Sequence, residues 1–138
     1  MPDEPAHEKA DELRDYFAAR PDVHLAYLFG SRASGEASPG SDYDFGVLLE
    51  EGTDPWCRHG MAHELGVILD HPGVDVVVLN KAPIELAFNV IATGRRVYER
   101  DVATRVDYEA KTMSLYGDYL PVLRQQRKDI IREARVES

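Results

Sequence analysis

The sequence has little of the chemistry that marks secreted, membrane or nucleic-acid-binding proteins. Cys57 is the only cysteine in 138 residues, so no internal disulfide can form and a reducing cytoplasm is the expected compartment. No apolar run is long enough to cross a bilayer, and the N-terminal residues lack the basic and apolar segments of a secretion signal. Basic residues number 16 against 25 acidic ones, and the net charge of −9 repels phosphate backbones. The sequence therefore predicts neither membrane insertion nor direct nucleic-acid binding.

What the chain does contain is an alternation of helix-like and strand-like segments. Runs of apolar, β-branched and aromatic residues predict strands, and apolar residues three or four apart predict helices between them. The predicted strands are 24–29, 44–50, 74–80 and 95–99, and the predicted helices are 6–20, 55–70 and 83–93. Asp54 is the expected N-cap of the second helix, with Pro55 at its first position. This order indicates an α/β (α+β) domain at residues 1–100, with a small mixed sheet flanked by helices.

The remaining residues, 101–138, are predicted to form a helical extension. Apolar residues recur there at an alternating spacing of four and three: Val102, Val106, Met113, Tyr116, Leu120, Leu123 and Ile130. Pro121 would normally break a helix, but the spacing continues beyond it and favours one bent helix or two in line. We expect this extension to pack on the same domain or on a partner.

The most informative segment is LFGSRASGEASPGSDYDFGVLL, residues 28–49. A strand ends there at Gly30-Ser31, ten small or polar residues follow, and Asp42 and Asp44 open the next strand. Side chains two apart on a strand point to the same face. Two carboxylates so placed repel each other unless a cation lies between them, and oxygen ligands suit Mg²⁺.

Two further features complete a predicted site. Asp75 lies inside the apolar strand VDVVVL, where a carboxylate is costly unless it is paired or bound to a metal. If the second and third strands are neighbours, its carboxylate can converge with the other two. The Gly30-Ser31 turn offers backbone N–H groups and a hydroxyl to an anion. Metal ions beside a phosphate site are the arrangement used in phosphoryl or nucleotidyl transfer.

These residues resemble the minimal nucleotidyltransferase (MNT) family of the polymerase beta-like superfamily, whose motif is G-S-x10-D-x-D. Gly30-Ser31, ten residues and then Asp42-Tyr43-Asp44 match it. The resemblance implies the nucleotidyltransferase fold and identifies Asp75 as the third catalytic acid. It also implies that Asp42, Asp44 and Asp75 bind Mg²⁺, while Gly30, Ser31 and Arg32 bind ATP.

The resemblance covers about residues 22–100, and the tail after GRRVYERD is similar to MNT antitoxins of HEPN–MNT toxin–antitoxin pairs. That similarity implies a cytoplasmic antitoxin in a hetero-oligomer with a HEPN ribonuclease toxin. It implies transfer of AMP from ATP to a tyrosine hydroxyl of that toxin. The chain departs from the pattern at Ser34, where many such antitoxins have a basic residue.

The residues also allow three other interpretations. An antitoxin could act by contact alone, without catalysis, or the domain could modify a small molecule. An antibiotic-modifying enzyme usually carries a second domain for the acceptor, and only one helical segment is left over here. Cys57, His59 and His63 suggest a metal site, but no fourth ligand for a closed zinc site is obvious nearby.

Overall fold

The computed structural model describes residues 9–137, so the first residues of the helix predicted at 6–20 lie outside the described part. The elements are α1 (Ala10–Ala18), β1 (Val23–Phe29), α2 (Ser31–Ser34), β2 (Tyr43–Leu49), α3 (Cys57–Leu69), β3 (Val74–Val78), a 3-10 turn (Leu79–Lys81), α4 (Ile84–Thr93), β4 (Arg95–Glu99) and α5 (Val102–Glu137). This succession of elements confirms the predicted mixed α/β class.

The four strands form one mixed sheet in the order β3-β2-β1-β4. β1 pairs antiparallel with both β2 and β4, while β2 and β3 run parallel. A parallel pair requires a crossover, and α3 supplies it between β2 and β3. The strands that carry the aspartates are therefore direct neighbours, as the sequence interpretation required.

Both faces of the sheet are covered. On one face, side chains of α1 and α3 such as Phe17 and Leu65 pack with Phe45 and Val76 of the strands. On the other face, Tyr27 packs in a smaller cluster that extends to α4 and α5. Alternation along β2 assigns Tyr43, Phe45 and Val47 to the larger cluster. The intervening residues of the strand, which include Asp44, point to the opposite face.

Two predicted boundaries are wrong by a few residues, and side-chain hydrogen bonds explain both. The second long helix begins at Cys57, because Asp54 accepts a hydrogen bond from the N–H of Trp56 at 2.9 Å and forms a turn instead of the N-cap. The third strand ends at Val78, because the amide of Asn80 bonds both the N–H and the C=O of Leu49 at 2.9 Å. These bonds hold Asn80 in a 3-10 turn beside β2.

α5 is a single helix that contains Pro121. Only part of the predicted apolar stripe packs on the domain. Tyr116, a member of the stripe, stacks on Phe88 of α4 with ring centroids 3.9 Å apart, and Tyr108, outside the stripe, reaches the smaller core cluster. Four members of the stripe are more than half exposed: Val102, Val106, Met113 and Ile130. The stripe is thus divided between packed and exposed residues.

Within residues 9–137, no helix combines the length and the apolar character that a membrane span requires.

Candidate active site

The strand register brings two of the three predicted aspartates side by side. In the parallel pair of β2 and β3, Asp44 lies opposite Asp75, and on the other side of β2 it lies opposite Phe29 at the end of β1. Residues paired across adjacent strands share a face of the sheet, so both carboxylates stand at the same end of the smaller-cluster face. Asp44 is half-buried and Asp75 is exposed.

Asp42 joins this pair from the residue position just before β2. The N–H of Tyr43 donates to the C=O of Gly73 at 2.8 Å, which places Asp42 beside Gly73. A Cβ atom at residue 73 would lie 2.0 Å from Oδ1 of Asp42, so only glycine leaves room for this carboxylate. Gly73 is a site residue that sequence analysis missed, although its place two residues before Asp75 could have suggested it.

The electrostatics of the cluster are those of uncompensated negative charge. Burial raises the pKa of the Asp44 carboxyl above its ordinary value, and the charges of Asp75 and Asp42 raise it further. None of the ion pairs found within residues 9–137 includes any of these three aspartates. A half-buried carboxylate beside two like charges is destabilised unless a cation binds near it.

The predicted phosphate-binding turn adjoins the same carboxylate. Gly30 has φ +77°, a left-handed conformation that L side chains rarely adopt, and it leads into the short helix α2 that begins at Ser31. A Cβ at residue 30 would lie 2.6 Å from Oδ2 of Asp44. Glycine at this position therefore serves both the turn and the close approach of Asp44.

Arg32, the third predicted nucleotide-binding residue, is placed differently from the other two. Its side chain is buried, at 6% exposure, and its guanidinium donates to the backbone carbonyls of Pro39 and Ser41. It also lies over the ring of Tyr43, 4.3 Å from the ring centroid. A second arginine that sequence analysis missed, Arg95 of β4, donates from Nε to the C=O of Ala33 at 3.1 Å.

The donor set suits a hard divalent cation. Carboxylate oxygens are the ligands that Mg²⁺ prefers, and the repulsion that raises the pKa of Asp44 is what such an ion would remove. In the part of the chain that the structure describes, no three His, Cys, Asp or Glu side chains are already arranged to hold a metal ion. The residues thus fit Mg²⁺ in chemistry, with Asp44 and Asp75 as the pair set by strand register.

Cys57, His59 and His63, the alternative metal site, form no metal-binding group within residues 9–137. His59 lies against the ring of Trp56 with centroids 5.0 Å apart, on an exposed face of α3.

Comparisons with known proteins bear on the fold and the family. Chains from three solved structures superpose on most of the molecule. A toxin–antitoxin with AMP-PNP gives 30% identity and a TM-score of 0.72, covering 90% of this chain and 96% of that chain. A tri-AMPylated Shewanella oneidensis HEPN toxin in complex with MNT antitoxin gives 26% and 0.71, covering 91% and 97%. The toxin–antitoxin MntA–HepT gives 26% and 0.70, with the same coverage. No curated protein matches the chain.

The family comparison rests on the segment that contains the whole site. The family described as "Polymerase beta, Nucleotidyltransferase" matches residues 11–103, which is more than half of the chain and includes β1, the turn and all three aspartates. Together with the solved toxin–antitoxin structures, this match confirms the resemblance that the G-S-x10-D-x-D motif suggested. The chain belongs to the polymerase beta nucleotidyltransferase family.

Proposed function

We propose that the protein is a cytoplasmic antitoxin that transfers AMP from ATP to a tyrosine hydroxyl of a cognate HEPN ribonuclease toxin and thereby silences it. One observation carries the proposal. The uncompensated carboxylate pair Asp44 and Asp75 adjoins the Gly30-Ser31 turn, in a chain that superposes on toxin–antitoxin structures, one of them with AMP-PNP and one with an AMPylated toxin. Clustered acids that no basic side chain neutralises are typical of a site that binds charged ligands.

In this proposal, the residues of the turn and the aspartates have separate tasks. Backbone N–H groups and the hydroxyl at Gly30-Ser31 hold the phosphates of ATP close to Asp44. Asp42, Asp44 and Asp75 would hold Mg²⁺. When bound, this ion would offset the negative charge of the triphosphate and of the carboxylates. The absence of a side chain at residues 30 and 73 leaves space for Asp44 and Asp42.

The reaction itself is a displacement at the α-phosphorus. The phenolic oxygen of the acceptor tyrosine forms a bond to that phosphorus as the bond to the bridging oxygen breaks, and pyrophosphate leaves with the electron pair. Asp75 is exposed at the sheet end and accepts the phenolic proton as general base. Exposure suits this role, because a protein acceptor must approach the site from solvent.

A protein partner is further supported by α5. Val102, Val106 and Met113 share one side of this helix and are each more than half exposed, although Tyr116 on the adjacent side packs on α4. Exposed apolar residues grouped on one helix face are typical of an interaction surface. We assign this surface, defined by these three residues, to the toxin in a hetero-oligomer.

The test combines the purified chain with a cognate HEPN toxin, ATP and Mg²⁺. Intact-mass spectrometry is expected to show the mass of added adenylate groups on the toxin, and its ribonuclease activity is expected to fall in parallel. Peptide mapping then identifies the acceptor, which we expect to be a tyrosine. The matched control is Asp44→Asn, which removes one charge with little change in volume and should leave the toxin unmodified and active.

The result also separates the alternatives. Silencing of the toxin by both the wild type and Asp44→Asn, without a mass change, would show an antitoxin that acts by contact alone. An unmodified and fully active toxin in the presence of the wild-type chain would contradict the proposal and leave a small-molecule acceptor as the remaining candidate.

A further inference from the structure

Arg32 is a buried cation that pairs with no acidic side chain among the described residues. Only 6% of the residue is exposed, and none of the ion pairs found within residues 9–137 includes it. Burying a guanidinium is costly unless hydrogen bonds or other polar contacts replace water. Its partners here are backbone carbonyl groups and one aromatic ring, so the role of Arg32 depends on which residues these groups position.

The contacts of Arg32 all lie at the end of one loop. Nε and Nη2 both donate to the C=O of Ser41, at 3.1 and 2.9 Å, and Nη2 also donates to the C=O of Pro39 at 3.2 Å. The guanidinium carbon lies 4.3 Å from the ring centroid of Tyr43, within the range of a cation–π contact. These contacts connect α2 to Pro39 and to Ser41 and Tyr43, the two residues on either side of Asp42 in the sequence.

The loop that receives these bonds has few other anchors. Residues 35–42 connect α2 to β2, and most of them are exposed. Within the loop, Ser38 and Ser41 bond each other, and Glu36 bonds back to Ser31. The Ser41 carbonyl is one peptide bond from Asp42, so the direction in which the chain enters β2 depends on the group that holds this carbonyl.

We infer that Arg32 is a positioning residue that fixes the loop at residues 35–42 and thereby places Asp42 beside Gly73, instead of binding the triphosphate directly. The effect of Arg32 on the rate of transfer rests on the proposed function, whereas its effect on the position of the loop does not. A lysine cannot substitute, because one ammonium group cannot give two planar N–H donors to the Ser41 carbonyl while stacking on Tyr43.

The test uses Arg32→Lys in the full chain, with Arg58→Lys on the exposed face of α3 as the matched control. In the nucleotide-free protein, hydrogen exchange of the hydrogen-bonded amides of Ser38, Ser41 and Tyr43 is expected to accelerate about tenfold or more in Arg32→Lys, and to be unchanged in the control. In the transfer assay, kcat is expected to fall about 100-fold while the KM for ATP changes less than about threefold.

A direct phosphate contact gives the opposite pattern. Unchanged loop exchange with a KM for ATP raised about tenfold or more would overturn the inference. The exchange measurement remains decisive even if the wild-type chain transfers no AMP, because it uses neither ATP nor toxin. Failure of the proposed function and failure of this inference are therefore distinguishable.

A measurement on the wild type covers the case in which Arg32→Lys does not fold. The assigned Nε–H signal of Arg32 in a ¹⁵N NMR spectrum is expected to stay in place when Mg²⁺ and AMP-PNP are added, because its Ser41 bond persists. A shift of that signal as large as those of the Ser31 backbone amide would show that the guanidinium moves to the phosphate and would overturn the inference.

Discussion

The two edge strands of the sheet, β4 on one side and β3 on the other, differ in whether their charged side chains form ion pairs. At β4, Glu99 forms ion pairs with Arg96 and Arg105, both at 2.8 Å, and accepts a hydrogen bond from Nε of Arg105. Arg105 also pairs with Glu109 at 3.2 Å, and the hydroxyl of Tyr27 donates to Glu109 at 2.6 Å. These ion pairs neutralise the charged side chains on this side. Together with the hydrogen bond of Tyr27, they join β4 and β1 to α5.

On the β3 side, three carboxylates lie near one another, and none of the ion pairs found within residues 9–137 includes them. Asp44 is half-buried there, and its pKa is raised by burial and by Asp75 and Asp42. Carboxylates with a perturbed pKa are typical of functional sites. We therefore propose the β3 side for catalysis, whereas the paired charges of the β4 side stabilise the fold.

The largest expected effect comes from removing charge on the β3 side. Asp44→Asn should lower the rate of adenylate transfer by about 1,000-fold or more, because the proposed Mg²⁺ site would lose one of its carboxylate ligands. The melting temperature without divalent cations should stay the same or rise, because repulsion with Asp42 and Asp75 is relieved. Transfer rates and thermal unfolding measure the two effects, and undiminished transfer would contradict the assignment.

Gly30→Ala tests the close approach at the turn. The new Cβ would lie 2.6 Å from Oδ2 of Asp44 at φ +77°, so the carboxylate must move and the rate should fall about 100-fold. Gly52→Ala is the matched control, because residue 52 has φ +88° with nothing within 4 Å of the added atom. Both variants should lose about 1 kcal/mol of stability, and only Gly30→Ala should lose activity.

Glu99→Gln makes the same carboxylate-to-amide change on the β4 side. Here the charge is paired, so the melting temperature should fall by about 2–4 °C, and less at high salt. Transfer should stay within about twofold of the wild type. A loss of activity as large as that of Asp44→Asn would remove the distinction between the two sides of the sheet.

Asp101, between β4 and α5, gives the smallest effect. Its pKa is lowered mainly by hydrogen bonding to Thr104, whose N–H it accepts at 2.7 Å. A lowered pKa means that this stabilisation is present above the ordinary aspartate pKa of about 3.9 and is lost as pH falls below it. Asp101→Asn should therefore be slightly less stable than the wild type at pH 7, and the difference should shrink as pH falls through the lowered pKa of Asp101. Thermal unfolding at pH 7 and at successively lower pH measures this.

Sequence analysis could predict the features that depend on neighbouring residues. Strand and helix types, the turn at Gly30 and the spacing of Asp42 and Asp44 are local patterns, and the structure contains each of them. The pairing of Asp44 with Asp75 depends on which strands are neighbours. From the sequence, this convergence could be predicted only on the condition that the second and third strands are neighbours.

Features set by distant contacts could not be predicted. The burial of Arg32 depends on a loop folding back over it, and the start of α3 depends on the Asp54 turn. Within the apolar stripe of α5, Tyr116 packs on Phe88 whereas Val102, Val106 and Met113 are exposed, and the spacing alone does not separate these two groups. In each case, contacts between residues decide what the local pattern leaves open.

A crystal structure of the chain with Mg²⁺ and AMP-PNP tests the central claim most directly. The account predicts a cation bound by carboxylate oxygens of Asp44 and Asp75, with the triphosphate against the Gly30-Ser31 turn. Nucleotide bound elsewhere, or at the turn with no cation among the aspartates, would contradict it.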